Sequence, residues 1–371
     1  MATPMATTAI PAQRHAVFHR LRVAGIDRLT EDSVAITFEI PGELREAYRF
    51  TPGQHVTIRC DLGGRGVRRN YSICSPVSSG RLRIGVKRLT GGAFSGYAME
   101  RLRPGDVLDV MTPTGRFTAP LDPANAKHYA AIAAGSGITP IMSLTASTLE
   151  AEPRSRVTLL YGNRTTSSVM FGEELADLKD RYLGRFCLLN FLSREPQESG
   201  LLSGRIDRAK LTRLFATVLP PDDVDEWFLC GPFEMVRDIR AALADAGVPP
   251  GHIHTELFHV GALPPRAPAA DQPASAVTGH STVTVNLDGR ATSLRLARDG
   301  EPILDAVLRA RPDAPYACKG GVCGTCRAKL LEGTVNMERT YALEQDEIGR
   351  GYVLTCQSHP TSGTVVLDYD G

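Results

Sequence analysis

The sequence lacks most of what would place it quickly in a large class. Its charges nearly cancel, with 42 Lys and Arg against 41 Asp and Glu, so no overall field draws it to nucleic acid. No run approaches the 18 or more apolar residues that a bilayer-spanning helix needs, which argues against a membrane partner. Residues 1–16 are rich in Ala, Thr and Pro but have no apolar core. They read as a disordered tail and not as a secretory signal, which makes the cytoplasm the expected location. No internal repeat is present. Cysteine is sparse as well. Of the 8 present, Cys60, Cys74, Cys187 and Cys230 are scattered singly, the pattern of small buried apolar residues in a reducing compartment.

The other four cysteines form a pattern. Cys318, Cys323 and Cys326 follow C-x4-C-x2-C within Tyr316–Cys326, and Cys356 follows after a long gap. This is plant-type [2Fe–2S] spacing. Four thiolates have to converge on two irons, so three come from one tightly coiled loop and the fourth from a distant strand. Gly320, Gly321 and Gly324 permit the coil and let backbone N–H groups turn toward the sulfurs. A four-cysteine zinc site usually takes two C-x2-C pairs, of which this chain has one. A disulfide is disfavoured because nothing else suggests export. A one-electron centre must be supplied with electrons, and the supply has to lie upstream.

With 371 residues the chain predicts two or three domains, each able to bury its own core. From 17 to 121 it reads as short strands, such as Val34–Ile40, Val56–Ile58 and Leu82–Val86. Turns at Pro52-Gly53, Gly63-Gly64, Gly91-Gly92 and Pro104-Gly105 separate them. This predicts a small antiparallel β-barrel. From 122 to 258 strands alternate with helices, which predicts an α/β unit on a parallel sheet. Thr139 is expected to cap the helix that follows its first strand, with Pro140 in the first turn. Residues 259–279 are rich in Pro and Ala without apolar period and read as a linker reaching roughly 25 Å at about 5–6 Å × √n. Residues 280–371 open with a hairpin turning at Asp288-Gly289 and are expected to form a β-grasp α+β module around the cysteine loop. Limited proteolysis should therefore cut first between 259 and 279, releasing a yellow fragment and a small red-brown one. Earlier cleavage inside 17–258 would contradict these boundaries.

Two segments of the barrel carry chemistry together. Between Arg59 and Arg88 lie Arg65, Arg68, Arg69, Arg81, Arg83 and Lys87 against Asp61 alone. Most read as solvated strand edges, and a subset can hold a phosphorylated ligand. Arg69-Asn70-Tyr71-Ser72 follows the basic turn, and Gly91-Gly92-Ala93-Phe94-Ser95 follows the strand ending Val86-Lys87-Arg88. An Arg guanidinium can fork onto a pyrophosphate, a Tyr ring can stack on an isoalloxazine, and a Ser hydroxyl can stand near flavin N5. Gly92 and Ser95 let backbone N–H groups approach phosphates. In the α/β unit, the Gly135-Ser136-Gly137 turn opens a helix, as dinucleotide sites do, but Pro140 replaces the third glycine of G-x-G-x-x-G. Cys230-Gly231-Pro232 ends a second strand at the carboxyl edge where ligands gather. As a core thiol, Cys230 would have no such role.

Taken in order, Arg69–Ser72, Gly91–Ser95, Gly135–Pro140 and Cys230–Pro232 resemble the ferredoxin–NADP reductase family, and the C-terminal module resembles plant-type ferredoxins. Tyr48-Arg49-Phe50, Pro52–His55, Ala133–Pro140, Tyr161–Thr165 and Tyr316–Cys323 are similar to the reductases that serve phenylacetyl-CoA epoxidases. Phthalate-dioxygenase-type reductases share the domain order but use FMN; the Gly91–Ser95 segment looks more like the FAD form. The resemblance implies FAD, a nicotinamide and a [2Fe–2S] cluster acting in series, with a di-iron oxygenase as electron acceptor. The alternative is a carrier, or a reductase serving another oxygenase or a non-oxygenase metalloprotein. The resemblance further implies that Tyr71 and Ser72 frame the isoalloxazine, Arg69 and Asn70 hold FAD, and Cys230, Glu256 and Phe258 line the nicotinamide pocket. Ser72, Cys230 and Glu256 become the candidate catalytic residues. Arg164, Ser193 and Arg194 become candidates for the 2′-phosphate of NADPH, with Glu195 arguing for NADH.

Overall fold

A computed structural model describes residues 17–64, 66–258 and 279–370. The expected tail lies outside the described residues, as does the expected linker apart from Gly279. No helix among the described residues is long and apolar enough to cross a membrane.

The first unit is a six-stranded antiparallel sheet. Its strands are β1 (Phe18–Thr30), β2 (Ser33–Glu39), β3 (His55–Asp61), β4 (Gly66–Ser72), β5 (Leu82–Lys87) and β6 (Val107–Met111). They run in the order β4-β3-β6-β1-β2-β5. Period-2 apolar residues send Leu21, Ile36, Ile58, Ile84 and Val110 into one buried interior. An isolated bridge from Ile73 to Ile84 brings the two edges together and closes the barrel. The Gly91–Ser95 segment, expected as a turn, instead opens a helix, α1 (Ala93–Glu100), with Gly92 as its N-cap. Its eight residues span only two turns, with an apolar face too short to show helical period, which is why it reads as loop.

The second unit alternates as expected. Strands β7 (His128–Ala134), β8 (Arg156–Asn163), β9 (Phe186–Leu192), β10 (Glu226–Cys230) and β11 (Ile253–Glu256) form a parallel sheet ordered β11-β10-β7-β8-β9. In β7, Tyr129, Ala131 and Ala133 face one core while Ala130 and Ile132 face the other, so both faces need cover. Helices α2 (Ile138–Ala151) and α3 (Gly172–Arg181) cover the first. Helices α4 (Arg208–Thr217) and α5 (Phe233–Asp245) cover the second. The first core continues into the barrel through Ala35, Cys74 and Phe117. Two expectations need correction. Cys187 is exposed, not buried, because β9 is an edge strand. Thr139 is not a cap, because the chain already coils over Gly135–Gly137 and α2 begins at Ile138.

The third unit contains β12 (His280–Leu287), β13 (Arg290–Ala297), α6 (Ile303–Ala310), β14 (Arg327–Glu332), β15 (Val335–Met337), α7 (Gln345–Gly349), β16 (Tyr352–Leu354), β17 (Ser358–Pro360) and β18 (Thr364–Asp368). The main sheet runs β13-β12-β18-β14-β16, with β12 and β18 parallel. The hairpin turns through Asp288 at φ 54 and Gly289 at φ 66, the pair of left-handed residues that a type I′ turn requires. β16 spans only three residues. It ends at Leu354, and residues 355–357 turn inward as a single 3-10 turn that buries Cys356.

Candidate active site

The three units meet at a cleft of about 1790 Å³, lined among others by Arg69, Ser72, Glu256, Phe258, Cys323 and Thr325. Each wall is built differently.

The cysteine loop coils through left-handed backbone at Lys319, Gly321 and Gly324. The Gly320 N–H donates to Cys318 Sγ at 3.3 Å, and Gln357 Nε2 donates to Cys356 Sγ at 3.6 Å. The four thiols stand as two facing pairs. Cys323, together with backbone N–H groups, holds the Cys318 thiol well below its ordinary range, and Cys326 lowers that of Cys356. Among the described residues no group of three or more His, Cys, Asp or Glu is arranged around one metal ion. Two pairs of thiols, three on one coiled loop and the fourth on the turn after β16, fit the ligand set of a two-iron cluster.

On the barrel wall, β4 alternates. Arg68, Asn70 and Ser72 share a face and reach the other two units. The Arg68 guanidinium lies 4.1 Å over the Tyr316 ring, and Asn70 Nδ2 donates to Thr325 Oγ1 at 3.4 Å. Ser72 Oγ donates to Glu256 Oε2 at 3.1 Å. Arg69 is exposed at the cleft rim, with no acidic partner among the described residues. Tyr71 packs its ring against Phe94 at 5.3 Å, and burial raises its phenol pKa. Beside it, α1 presents its first backbone N–H groups, which have no partner within the helix. These features suit an FAD: an unpaired cation at the cleft rim, with an aromatic ring and free helix N-terminal donors on the same unit. The structure also narrows the candidate list. Phe94 is buried beneath Tyr71 and Val86 lies in the barrel core, so neither side chain faces the cleft. Lys87 is committed to Asp32 at 2.8 Å. Ser95 Oγ accepts the Leu89 N–H at 3.1 Å, closing the Gly91-Gly92 turn.

On the nicotinamide wall, Gly137 has a steric reason. A Cβ there would lie 2.1 Å from the Cys230 carbonyl oxygen, so the ends of β7 and β10 can meet only over glycine. Thr139 and Pro140 are buried. The Thr139 hydroxyl donates to Ser136 O at 3.0 Å, and its methyl abuts Gly85 of the barrel. Their role is to join the units, which leaves the Gly135–Gly137 backbone and Gly231-Pro232 at the open edge. Cys230 pairs in register with Glu256, and burial pushes its thiol up, with Glu256 adding to the shift. Ser72 and Glu256 thus converge in the cleft, whereas Cys230, in register beside Glu256, is fully buried in the first core and is not among the residues that line the cleft. Phe258 stands half-exposed at the mouth.

At the far end of the same sheet edge the backbone ladder between β8 and β9 runs on. Ser193 N–H donates to Asn163 O at 2.9 Å and Arg194 N–H to Arg164 O at 2.8 Å. Arg164 and Arg194 therefore stand side by side, both exposed.

One residue that sequence reasoning passed over sits at the centre. His55 is buried, with Nε2 3.2 Å from Asn70 Nδ2 and Nδ1 3.7 Å from Glu256 Oε1. Nδ1 has no hydrogen-bond partner among the described residues. The only available signal was its place in Pro52-Gly53-Gln54-His55, which reads as a turn leading into a strand.

Comparison with known proteins follows the same three walls. Residues 20–119 match the oxidoreductase FAD-binding domain, residues 131–241 the oxidoreductase NAD-binding domain, and residues 285–361 the 2Fe-2S iron-sulfur cluster binding domain. The chain is 46% identical over 353 residues to one component polypeptide of the 1,2-phenylacetyl-CoA epoxidase of Escherichia coli K12, covering 95% of this chain and 98% of that one. It is 31% identical over 370 residues to the ferredoxin reductase component of 3-ketosteroid-9-alpha-monooxygenase from Rhodococcus rhodochrous, covering 98% of this chain and 100% of that one. Among solved structures, phthalate dioxygenase reductase aligns with a TM-score of 0.56 at 25% identity, over 95% of this chain and 98% of its own. An intact type IV self-sufficient cytochrome P450 monooxygenase shares the fold, with a TM-score of 0.65 at 22% identity; this chain spans 41% of it.

Proposed function

The chain belongs to the family of oxygenase reductases that join FAD-binding, NAD-binding and [2Fe–2S] domains in one polypeptide, and from that premise we propose that it supplies electrons to a di-iron oxygenase acting on phenylacetyl-CoA. FAD accepts two electrons as hydride from a nicotinamide and releases them singly, and a [2Fe–2S] cluster carries one at a time. The protein's own contribution is placement. Arg69 and the free N–H groups of α1 hold the flavin phosphates, with Asn70 bracing the same strand. Tyr71, backed by Phe94, presents its ring to the isoalloxazine. Ser72, hydrogen-bonded to Glu256 Oε2, would stand with its hydroxyl at the edge of the flavin ring. Glu256 would form the floor against which a nicotinamide stands, with Cys230 packed behind it in the core, and Phe258 would cover the mouth against water. Cys318 with Cys323, and Cys326 with Cys356, hold one iron each.

Arg164, Ser193 and Arg194 are proposed to hold the 2′-phosphate of NADPH. The observation that carries the whole reading is the meeting of Ser72, Glu256 and Thr325 in one cleft, one from each unit. It gives a single place where hydride can arrive and electrons can leave.

The test is an anaerobic addition of NADPH to the purified protein. Flavin absorbance should bleach first and cluster absorbance second. Adding the di-iron oxygenase component with phenylacetyl-CoA in air should then couple NADPH oxidation to epoxide formation. Bleaching of neither chromophore would overturn the reductase reading. Bleaching of both, with electrons refused by this oxygenase, would redirect the proposal to another oxygenase.

A further inference from the structure

We propose that Arg116 is the positioning residue for electron transfer between flavin and cluster: one barrel side chain grips two supports of the cysteine loop. The proposal rests on the electron route above and adds the residue that sets its geometry.

The backbone around Arg116 is fixed by the two units upstream of the cluster. Thr114 and His55 exchange backbone hydrogen bonds at 2.8 and 2.9 Å. Gly115 packs so closely on the His55 ring that a Cβ would lie 2.9 Å from Nδ1. On the other side, Phe117 meets Phe228 of β10 edge-on at 5.4 Å. Arg116 is thus held between the flavin-site histidine and the core of the nicotinamide unit, and only its side chain leaves that framework.

The guanidinium forks. Nη2 donates to the Ala342 carbonyl at 3.2 Å, and the Ala342 N–H donates to Gly321 O at 3.0 Å, inside the cysteine loop. Nη1 donates to Glu347 Oε1. Glu347 is buried at 4% side-chain exposure and also takes Arg327 Nη1 at 2.9 Å. Its second oxygen accepts the Glu344 N–H at 3.1 Å. Arg327 directly follows the ligand Cys326, and its guanidinium lies 4.2 Å over the Tyr352 ring. One arm therefore ends on Gly321, between Cys318 and Cys323, and the other ends beside Cys326.

A buried carboxylate is tolerated only when paired and hydrogen-bonded, so Glu347 binds the two arginines to a fixed geometry. Arg240 and Glu344, at 3.5 Å and both about half exposed, also cross between units. An exposed pair of that kind contributes little, which makes Arg240 the control.

The experiment uses the full holoprotein as wild type, Arg116→Ala, Arg116→Lys and Arg240→Ala. Stopped-flow absorbance after NADPH mixing reads flavin and cluster bleaching separately, and small-angle scattering of the oxidised protein reads the separation of the units. Misplacement of a reacting pair by a mutation away from the chemistry can cost roughly 10²-fold in rate; electron transfer falls less steeply per ångström, so an effect of that size requires the units to part by several ångströms. Arg116→Ala is therefore expected to leave flavin bleaching within about twofold and slow cluster bleaching by about 10- to 100-fold. Its radius of gyration should rise, Arg116→Lys should recover part of both changes, and Arg240→Ala should match wild type. Cluster bleaching and scattering unchanged in Arg116→Ala would overturn the assignment, as would equal slowing of flavin and cluster. Failure of wild type to bleach would count against the electron route alone. The scattering comparison decides the role of Arg116 in either case.

Discussion

Cys323→Ser is expected to strip the protein of iron and of its red-brown colour while leaving it yellow. Cys323 faces Cys318, and the pair is suited to one of the two irons, so a serine leaves that iron with one thiolate from the protein. Removing even an outer-shell partner of a metal ligand typically costs about 10- to 100-fold in affinity or activity, and removing the ligand itself costs more. NADPH oxidation by an artificial two-electron acceptor should persist near the wild-type rate, because Arg69, Ser72, Cys230 and Glu256 are untouched. Electron delivery to the oxygenase should fall by more than about 100-fold. Iron and flavin are counted by metal analysis and absorbance. Cys187→Ser is the internal control: this thiol is exposed on the edge strand β9, far in sequence from the loop, and should change neither count. A Cys323→Ser protein that keeps two irons per flavin and still drives the oxygenase would sink both the ligand assignment and the order of the relay.

The cysteine loop was readable because its chemistry is local. Three ligands and their glycines fall within Cys318–Cys326, and a two-iron centre permits few other spacings. The parallel sheet was equally plain, since strands and helices of ordinary length alternate with their own periods. What sequence could not supply are pairings across distance. Ser72 and Glu256 are 184 residues apart and Asn70 and Thr325 are 255 apart, and no local pattern links either pair. His55 and Arg116 escaped for the same reason, since each looks like one more polar residue near a turn.

The candidates that moved did so for local reasons, one steric and one electrostatic. Thr139 has the chemistry of a cap, yet the 3-10 turn before it moves the helix start to Ile138 and buries its methyl on Gly85. Lys87 has the charge to hold a phosphate, but Asp32, at the turn between β1 and β2, already holds it. The useful distinction is between a residue type that suits a role and a side chain still free to fill it.

Freedom of that kind underlies the second large effect, the choice of nicotinamide. No carboxylate ends β8 to take the free 2′-hydroxyl of NADH; the strand runs out in Gly162-Asn163 and then Arg164. Glu195 was the one residue arguing for NADH. Its carboxylate is occupied, accepting the Thr166 N–H at 2.7 Å and the Thr166 hydroxyl at 2.8 Å, and these bonds hold it below the ordinary carboxyl range. Arg194 and Arg164, locked side by side through their backbones, make no side-chain hydrogen bond or ion pair among the described residues. Two free cations side by side at this edge of the sheet suit a phosphate dianion. A charge-assisted hydrogen bond is worth roughly 1.5–3 kcal/mol, or about 10- to 150-fold in affinity at 1.4 kcal/mol per decade. Arg194→Ala is therefore expected to raise the KM for NADPH by that factor, with kcat nearly constant and NADH kinetics barely altered. Arg164→Ala should act in the same direction. Glu195→Gln should leave the preference in place, because Thr166 and not the nicotinamide is its partner. Steady-state reduction of an artificial acceptor with each cofactor reads all three variants. A wild-type preference for NADH, or equal losses with both cofactors in Arg194→Ala, would remove the 2′-phosphate from this pair of arginines.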